Sequence, residues 1–155
     1  MSGSIYTVGI ISDTHGVVPP QVHEVFQGVD EIIHAGDIGV EDVLIDLGVM
    51  APVRAVYGNM DGWALCRWLS KHLAFELMGH RVLVSHIECR AADDRSTICI
   101  TGHTHAPRVA QVGRILYINP GSAGKPPSGQ QPSVALLQLT ERRAEAHIVY
   151  LKETR

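Results

Sequence analysis

The chain reads as an α/β protein built of two β-sheets packed face to face, with helices outside. Three observations carry that reading. The first third alternates apolar β-type runs with segments of helical spacing. From Phe75 onward the pattern changes to a succession of strand-like runs, a β-meander without further helical segments. Five of the apolar runs stop abruptly at Gly, Asp, Asn or His, and the carboxyl ends of strands are where α/β sheets place their ligands.

The elements follow in order. Ile5 to Ile11 is β-branched and apolar, interrupted by Gly9, and reads as a buried strand ending in Ser12-Asp13-Thr14-His15-Gly16. Pro19-Pro20 marks a helix from Pro20 to Phe26, with Val22, Val25 and Phe26 on one face. Glu31 to Asp37 is a second strand running into Gly36-Asp37; His34 inside it reads as a hydrogen-bonded core histidine. Val40 to Val49 has helical spacing through Val40, Val43, Leu44 and Leu47. Val53 to Tyr57 is the third strand, ending in Gly58-Asn59-Met60-Asp61-Gly62. Trp63 to His72 is expected to be helical, with Trp63, Leu65, Trp68 and Leu69 as apolar contacts and Arg67 and Lys71 on polar faces.

Phe75–Met78 and Arg81–Val84 flank Gly79-His80, a hairpin signal, and the second run ends in Ser85-His86. A polar loop, Glu88 to Ser96, precedes Thr97–Thr101, which leads into Gly102-His103-Thr104-His105. Arg108–Val112 and Arg114–Asn119 form a hairpin turning at Gly113, followed by Asn119-Pro120-Gly121-Ser122. Lys125 to Pro132 is a Gly/Pro/Ser-rich loop, and Ser133–Leu139 and Ala144–Leu151 are the closing strands.

At 155 residues, 45% hydrophobic and 19% charged, the chain is long enough for one well-formed core. A net charge of −3 argues against gripping long nucleic acid, which needs a basic face. No apolar run approaches a membrane span, and Met1-Ser2-Gly3-Ser4 shows no secretory pattern. Cys66, Cys89 and Cys99 form no C-x-x-C pair and read as reduced thiols of a cytoplasmic protein.

The strand ends present Asp13 and His15, Asp37, Asn59, His86, and His103 and His105. Taken singly, each has a plainer role: Asp13 forms a turn, Asn59 sits in a left-handed turn, Asp61 caps a helix, paired histidines sit on a surface. Together they are two carboxylates, one amide oxygen and four imidazoles. A structural zinc site uses cysteines and four ligands, and calcium takes oxygen throughout. Seven mixed N/O ligands suit two ions sharing a carboxylate.

The order D-x-H, G-D, G-N-x-D, lone His, G-H-x-H resembles the calcineurin-like metallophosphoesterases, in particular their small, single-domain microbial phosphodiesterase branch. The resemblance runs from Ile5 to about Ser122 and includes the Asn119–Ser122 turn. It implies one metallophosphoesterase domain over residues 1–155, folded as a four-layer αββα sandwich of two mixed sheets. It implies that Asp13, His15 and His105 hold one divalent ion, that Asn59, His86 and His103 hold the other, and that Asp37 bridges them. Asp61 then orients a neighbour without binding metal. Manganese is the metal the resemblance suggests, while nitrogen ligands also admit zinc, iron or nickel, and magnesium remains compatible.

The implied activity is hydrolysis of phosphodiesters or activated phosphate esters by a hydroxide bridging the two ions. The partner is then a small phosphoester, with no membrane and no long nucleic acid, and a homo-oligomer is compatible with the chain. Two departures stand out. Many relatives carry a histidine where this chain has Met60, so no imidazole there protonates a leaving group. The branch commonly has His-Gly-His where this chain has His86-Ile87-Glu88. The competing reading is the same fold used as a protein-binding scaffold, as in a eukaryotic trafficking subunit; the seven metal-competent positions favour the enzyme.

Overall fold

The computed structural model describes residues 4–88, 96–124 and 126–151. Two mixed five-stranded sheets pack face to face. The first is built from β1 (Tyr6–Ile11), β2 (Glu31–His34), β3 (Val53–Ala55), β9 (Ser133–Leu139) and β10 (Ala144–Tyr150), in the order β10-β9-β1-β2-β3. The second holds β4 (His72–Leu77), β5 (His80–Ser85), β6 (Ser96–Ile100), β7 (Arg108–Val112) and β8 (Ile115–Asn119), in the order β4-β5-β6-β8-β7.

Alternation along each strand decides which side chains meet between the sheets. Val8 and Ile10 of β1 and Ile33 of β2 face Val82 and Val84 of β5, Ile98 and Ile100 of β6 and Ile118 of β8 in one buried cluster. The opposite faces of β1 and β2 present Ile11 and Ile32 to α1 (Pro20–Val25), α2 (Glu41–Gly48) and α3 (Trp63–Cys66). Val22, then Val43, Leu44 and Leu47, then Leu65 are the buried residues of those helices, and all join that second cluster. Among the described residues the three helices all pack on the outer face of the first sheet.

Two expectations are corrected. The helix expected from Trp63 to His72 stops at Cys66, and β4 already begins at His72. Tertiary pairing overrides the helical spacing. The Tyr57 amide donates to the Ser70 carbonyl, and Val56 bridges Ser70, which draws the backbone to the edge of β3. Leu73 and Phe75 then point into the inter-sheet core at strand spacing, while Trp63 and Trp68 are exposed.

Nor is the second half a meander. β5 pairs with β6, and β6 with β8, in parallel. The β9–β10 hairpin leaves the second sheet and lies antiparallel to β1. An alternating run encodes its faces but not its partner's direction. The hairpins at Gly79 and Gly113 form as expected. The polar loop expected at Glu88–Ser96 falls mostly, and Lys125 wholly, outside the described residues.

Gly9 has a packing reason. A Cβ there would lie 2.8 Å from the ring of Phe26, which is fully buried and anchors the end of α1 on β1. Gly9→Ala should therefore lower stability by about 1–3 kcal/mol through overpacking. A lowered urea midpoint with an unchanged slope would show it; an unchanged midpoint would mean the ring moves freely.

Candidate metal centre

The parallel strands of both sheets discharge their carboxyl ends on one side, and the expected ligands follow those ends. Among the described residues, six non-glycine residues have positive φ. Met78 (50°) belongs to the β4–β5 turn; the other five are Asp13 (55°), His15 (47°), Asp37 (56°), His103 (68°) and His105 (62°). Left-handed backbone costs an L-residue about 1–2 kcal/mol. Such strain persists where the surroundings over-determine it, commonly at functional sites. Here each turn folds the chain back sharply enough to aim its side chain inward.

Close approach is needed as well. A Cβ on Gly58 would collide with the Asp37 carboxylate, and one on Gly102 would collide with the Ser12 hydroxyl. Gly58 lets two loops of the first sheet touch, and Gly102 lets the loop after β6 of the second sheet touch the loop after β1 of the first.

Asp13 is fully buried and Asp37 is 3% exposed. Asp13 Oδ2 accepts from the Ser12 hydroxyl at 2.6 Å and from the His103 amide at 3.1 Å. Its Oδ1 has no hydrogen-bond partner, and lies 3.2 Å from His105 Nε2 and 3.8 Å from the Nε2 atoms of His15 and His86. Asp37 Oδ1 accepts from the Met60 amide at 2.8 Å, while its Oδ2 lies 3.1 Å from His86 Nε2 and 3.9 Å from His15 Nε2. Asp13, His15 and His105 each bring one ligand atom within 4.8 Å of the others, and so do Asp13, Asp37 and His86.

His86 is aimed by its other nitrogen. Nδ1 faces the Ala35 carbonyl at 2.8 Å, which can only accept, so Nδ1 carries the proton. In the neutral ring Nε2 is then a bare lone pair pointed at two carboxylates, the orientation a metal-ligating histidine needs. That Nε2 is buried and has no hydrogen bond. Burial alone would lower the His86 pKa; the Asp37 carboxylate, the Ala35 carbonyl and the Asp13 charge outweigh it and hold it above the ordinary value. For Asp37, burial alone would raise the pKa; His86, the Met60 amide and His15 hold it low.

Asn59 and His103 stand together on the exposed side, Asn59 Oδ1 lying 3.2 Å from His103 Nδ1. The His103 ring lies 5.3 Å from that of His86. All seven expected ligands thus gather at one rim. Asp61 stays apart from the imidazoles: its carboxylate accepts backbone amides of Ile38, Gly39 and Gly58 at 3.1, 2.9 and 2.8 Å, tying the Asp37 loop to the Asn59 loop. Met60 is 69% exposed, so it is not part of the core.

Other residues support these turns. The Ser122 hydroxyl donates to the Asp13 carbonyl. Asn119 donates to the Gly102 carbonyl and the Thr104 hydroxyl and accepts the Gly121 amide, bracing the turn that carries His103 and His105. Thr14 donates to the Ile38 carbonyl, so its oxygen is left to accept from His34 Nε2 at 2.9 Å, while His34 Nδ1 accepts the Gly36 amide at 3.1 Å. His34 is thus the hydrogen-bonded core histidine expected from the sequence, and the Asn119–Ser122 turn was singled out there, whereas for Ser12 and Thr14 the only advance signal was adjacency to the motifs.

A buried cradle of carboxylates and imidazoles, at the strand ends of a two-sheet α/β sandwich, is a set of side chains that could hold metal ions. Residues 6–142 match the calcineurin-like phosphoesterase superfamily domain, and the chain belongs to that family. It is 32% identical to a probable metallophosphoesterase of Methanothermobacter thermautotrophicus, over 92% of this chain and 91% of that one. It is 28% identical to a phosphodiesterase of Methanocaldococcus jannaschii, over 92% and 98% of the two chains. Its fold is like that of vacuolar protein sorting 29 from Cryptosporidium parvum, with a TM-score of 0.82, 18% identity and coverage of 96% and 93%.

His34 generates a pH prediction. Full burial, with the His86 charge next, pushes its pKa down to about 3 from 6.5. The native state refuses a proton that the unfolded chain accepts. The contribution is complete above the unfolded value and is lost as pH falls from about 6.5 toward 3. In chelator-treated protein, the melting temperature should fall with acidification across that window, and His34→Gln should flatten the slope. Equal slopes for both proteins would remove His34 from the account.

Proposed function

We propose that the chain is a metal-dependent phosphodiesterase whose centre takes two divalent ions, with manganese as the native metal. One observation carries the reading: Asp13 Oδ1 and His86 Nε2 are buried, face each other across 3.8 Å and satisfy no hydrogen bond. Leaving such an atom unpaired costs about 1–3 kcal/mol, more for a charge, and a cation removes that cost for both. We assign one ion to Asp13, His15 and His105, the other to Asn59, His86 and His103, and Asp37 to both. The donor set fits: hard carboxylates beside neutral imidazoles suit divalent manganese, and also zinc, iron or nickel. When bound, the ions supply a water of lowered pKa and offset charge on the phosphoryl oxygens.

The chain's own residues do the positioning. The Met60 amide holds Asp37 Oδ1, which leaves Oδ2 turned toward His15 and His86. The Ala35 carbonyl fixes the tautomer of His86. Exposed His103 and Asn59 line the side from which a phosphoryl group enters. Met60 has no proton to give, so the departing alcohol must be a good leaving group or draw its proton from solvent. That favours diesters and activated esters over alkyl monoesters. The relative named phosphodiesterase supports this class. The likeness to vacuolar protein sorting 29 is one of fold, and no feature of the site favours a scaffold. We take residues 1–155 as one such domain, working in the cytoplasm, where the free thiols of Cys66 and Cys99 stay reduced.

Metal analysis should find up to two ions per chain, and chelation should abolish hydrolysis of bis-p-nitrophenyl phosphate until ions are restored. Asp37→Asn should weaken both ions by about tenfold or more, whereas Asn59→Ala should weaken one. Full activity after chelation would end the two-metal reading; independent loss of single ions in both variants would reassign the bridge.

Met60→His should install a general acid, worth about 10²–10⁴-fold for poor leaving groups. A series of aryl phosphates of graded leaving-group pKa, run with saturating metal, should give a steep dependence for the native protein and a flatter one for the variant. Parallel lines would show that position 60 takes no part in leaving-group chemistry.

A further inference from the structure

Beside the metal centre lies a cavity of about 770 Å³. Asn59 and His86 line it, so it opens onto the centre from the side assigned to the second ion. That volume suits a whole organic ligand, well beyond a phosphate. One part of its wall is apolar, from Ala74, Leu83 and Ile87. Another part is polar, from Tyr57, Lys71, His72 and Ser85. Among the described residues, none of these four side chains makes a hydrogen bond or ion pair. Ser85 is 5% exposed and Tyr57 is half-buried. Lys71 and His72 are exposed. Polar groups as enclosed as Ser85 and Tyr57 are ordinarily paired, and here both line the cavity.

The chain builds this feature by departing from its own helical spacing. Because α3 ends at Cys66, Lys71 just before β4 and His72 at its start border the cavity instead of lying on a helix surface. Ser85 at the end of β5 and the His86–Glu88 segment after it line the cavity as well.

We propose that this cavity binds the organic ester group of the phosphodiester, and that this group is a nucleoside. The proposal rests on the phosphodiesterase reading above. An alkyl chain would cover the apolar wall but leave Ser85 and Tyr57, the two polar side chains that are not exposed, without a partner, which is unfavourable. A simple polyol would use the polar groups but waste Ala74, Leu83 and Ile87. A nucleoside offers both: a flat apolar face on the base, and acceptors and hydroxyls on its edge and sugar for Lys71, His72, Tyr57 and Ser85. Asn59 and His86 belong both to the candidate centre and to the cavity lining, so a nucleoside attached to a phosphoryl group at the centre adjoins the cavity.

Two measurements test this on metal-loaded protein. In the first, calorimetry compares thymidine monophosphate with inorganic phosphate. Burying the base should tighten binding by about tenfold or more over phosphate alone. Ala74→Trp, which fills the cavity from an exposed strand position, should erase that margin; Lys71→Ala should reduce it. Phosphate binding should be unchanged in both variants. In the second, thymidine p-nitrophenyl phosphate is compared with methyl p-nitrophenyl phosphate, which share a leaving group. The nucleoside ester should have the higher kcat/KM, chiefly through KM, and the variants should remove the difference while the methyl ester keeps its rate. Equal binding of nucleotide and phosphate, or variants that slow both esters alike, would overturn the cavity assignment while leaving the phosphodiesterase reading intact. Nucleotide preference that Ala74→Trp abolishes, in a protein that hydrolyses neither ester, would uphold the cavity and overturn the activity.

Discussion

Two buried carboxylates set the terms for everything around them. Asp13 and Asp37 lie at 0% and 3% exposure, each at the end of a parallel strand of the same sheet. An ionised carboxylate removed from water is tolerated only if it is hydrogen-bonded and met by positive charge. One oxygen of each is held by hydrogen bonds, Asp13 by Ser12 and the His103 amide, Asp37 by the Met60 amide. The other oxygen of each is turned to histidines. The left-handed turns at five ligand positions are the backbone consequence, because only a sharp reversal brings the side chains of separate loops to one point.

The fold supplies the rigidity that such turns require. The inter-sheet core of Val8, Ile10, Ile33, Val84, Ile98 and Ile100 clamps the strands just before the loops leave them. Behind the first sheet, α1 and α2 bury Val22, Val43, Leu44 and Leu47 and fix the crossovers. Asp61 then stitches two loops through three backbone amides, and His34 with Thr14 stitches two more without carrying charge. None of these groups needs to touch an ion to matter. They keep strained backbone from relaxing.

The working side of the molecule is correspondingly uneven. Its centre is buried and preorganised, whereas its rim carries exposed Met60, Trp63, Ile87 and His103. On the proposed phosphodiesterase reading, charge compensation would fall to the centre, and a thioether at position 60 would supply no proton to a departing oxygen.

The sequence by itself singled out the candidate ligands and the elements that carry them. Asp13, His15, Asp37, Asn59, His86, His103 and His105 stand out because each follows an apolar run whose period marks a strand and whose end is marked by glycine or a polar break. The α/β class and the first three strands were legible for the same reason. The tertiary structure alone decided which strands pair and in which direction, since an alternating run specifies faces and not neighbours. It decided that the segment after Cys66 abandons its helical spacing, because a bridge from Val56 to Ser70 and burial of Leu73 and Phe75 outweigh local propensity. It also decided what Ser12, Thr14, Asn119 and Ser122 hold in place, and that Tyr57, Lys71 and Ser85 share one cavity with Asn59 and His86. Those relations join residues far apart in the chain, and their meaning lies in distances that no local pattern encodes.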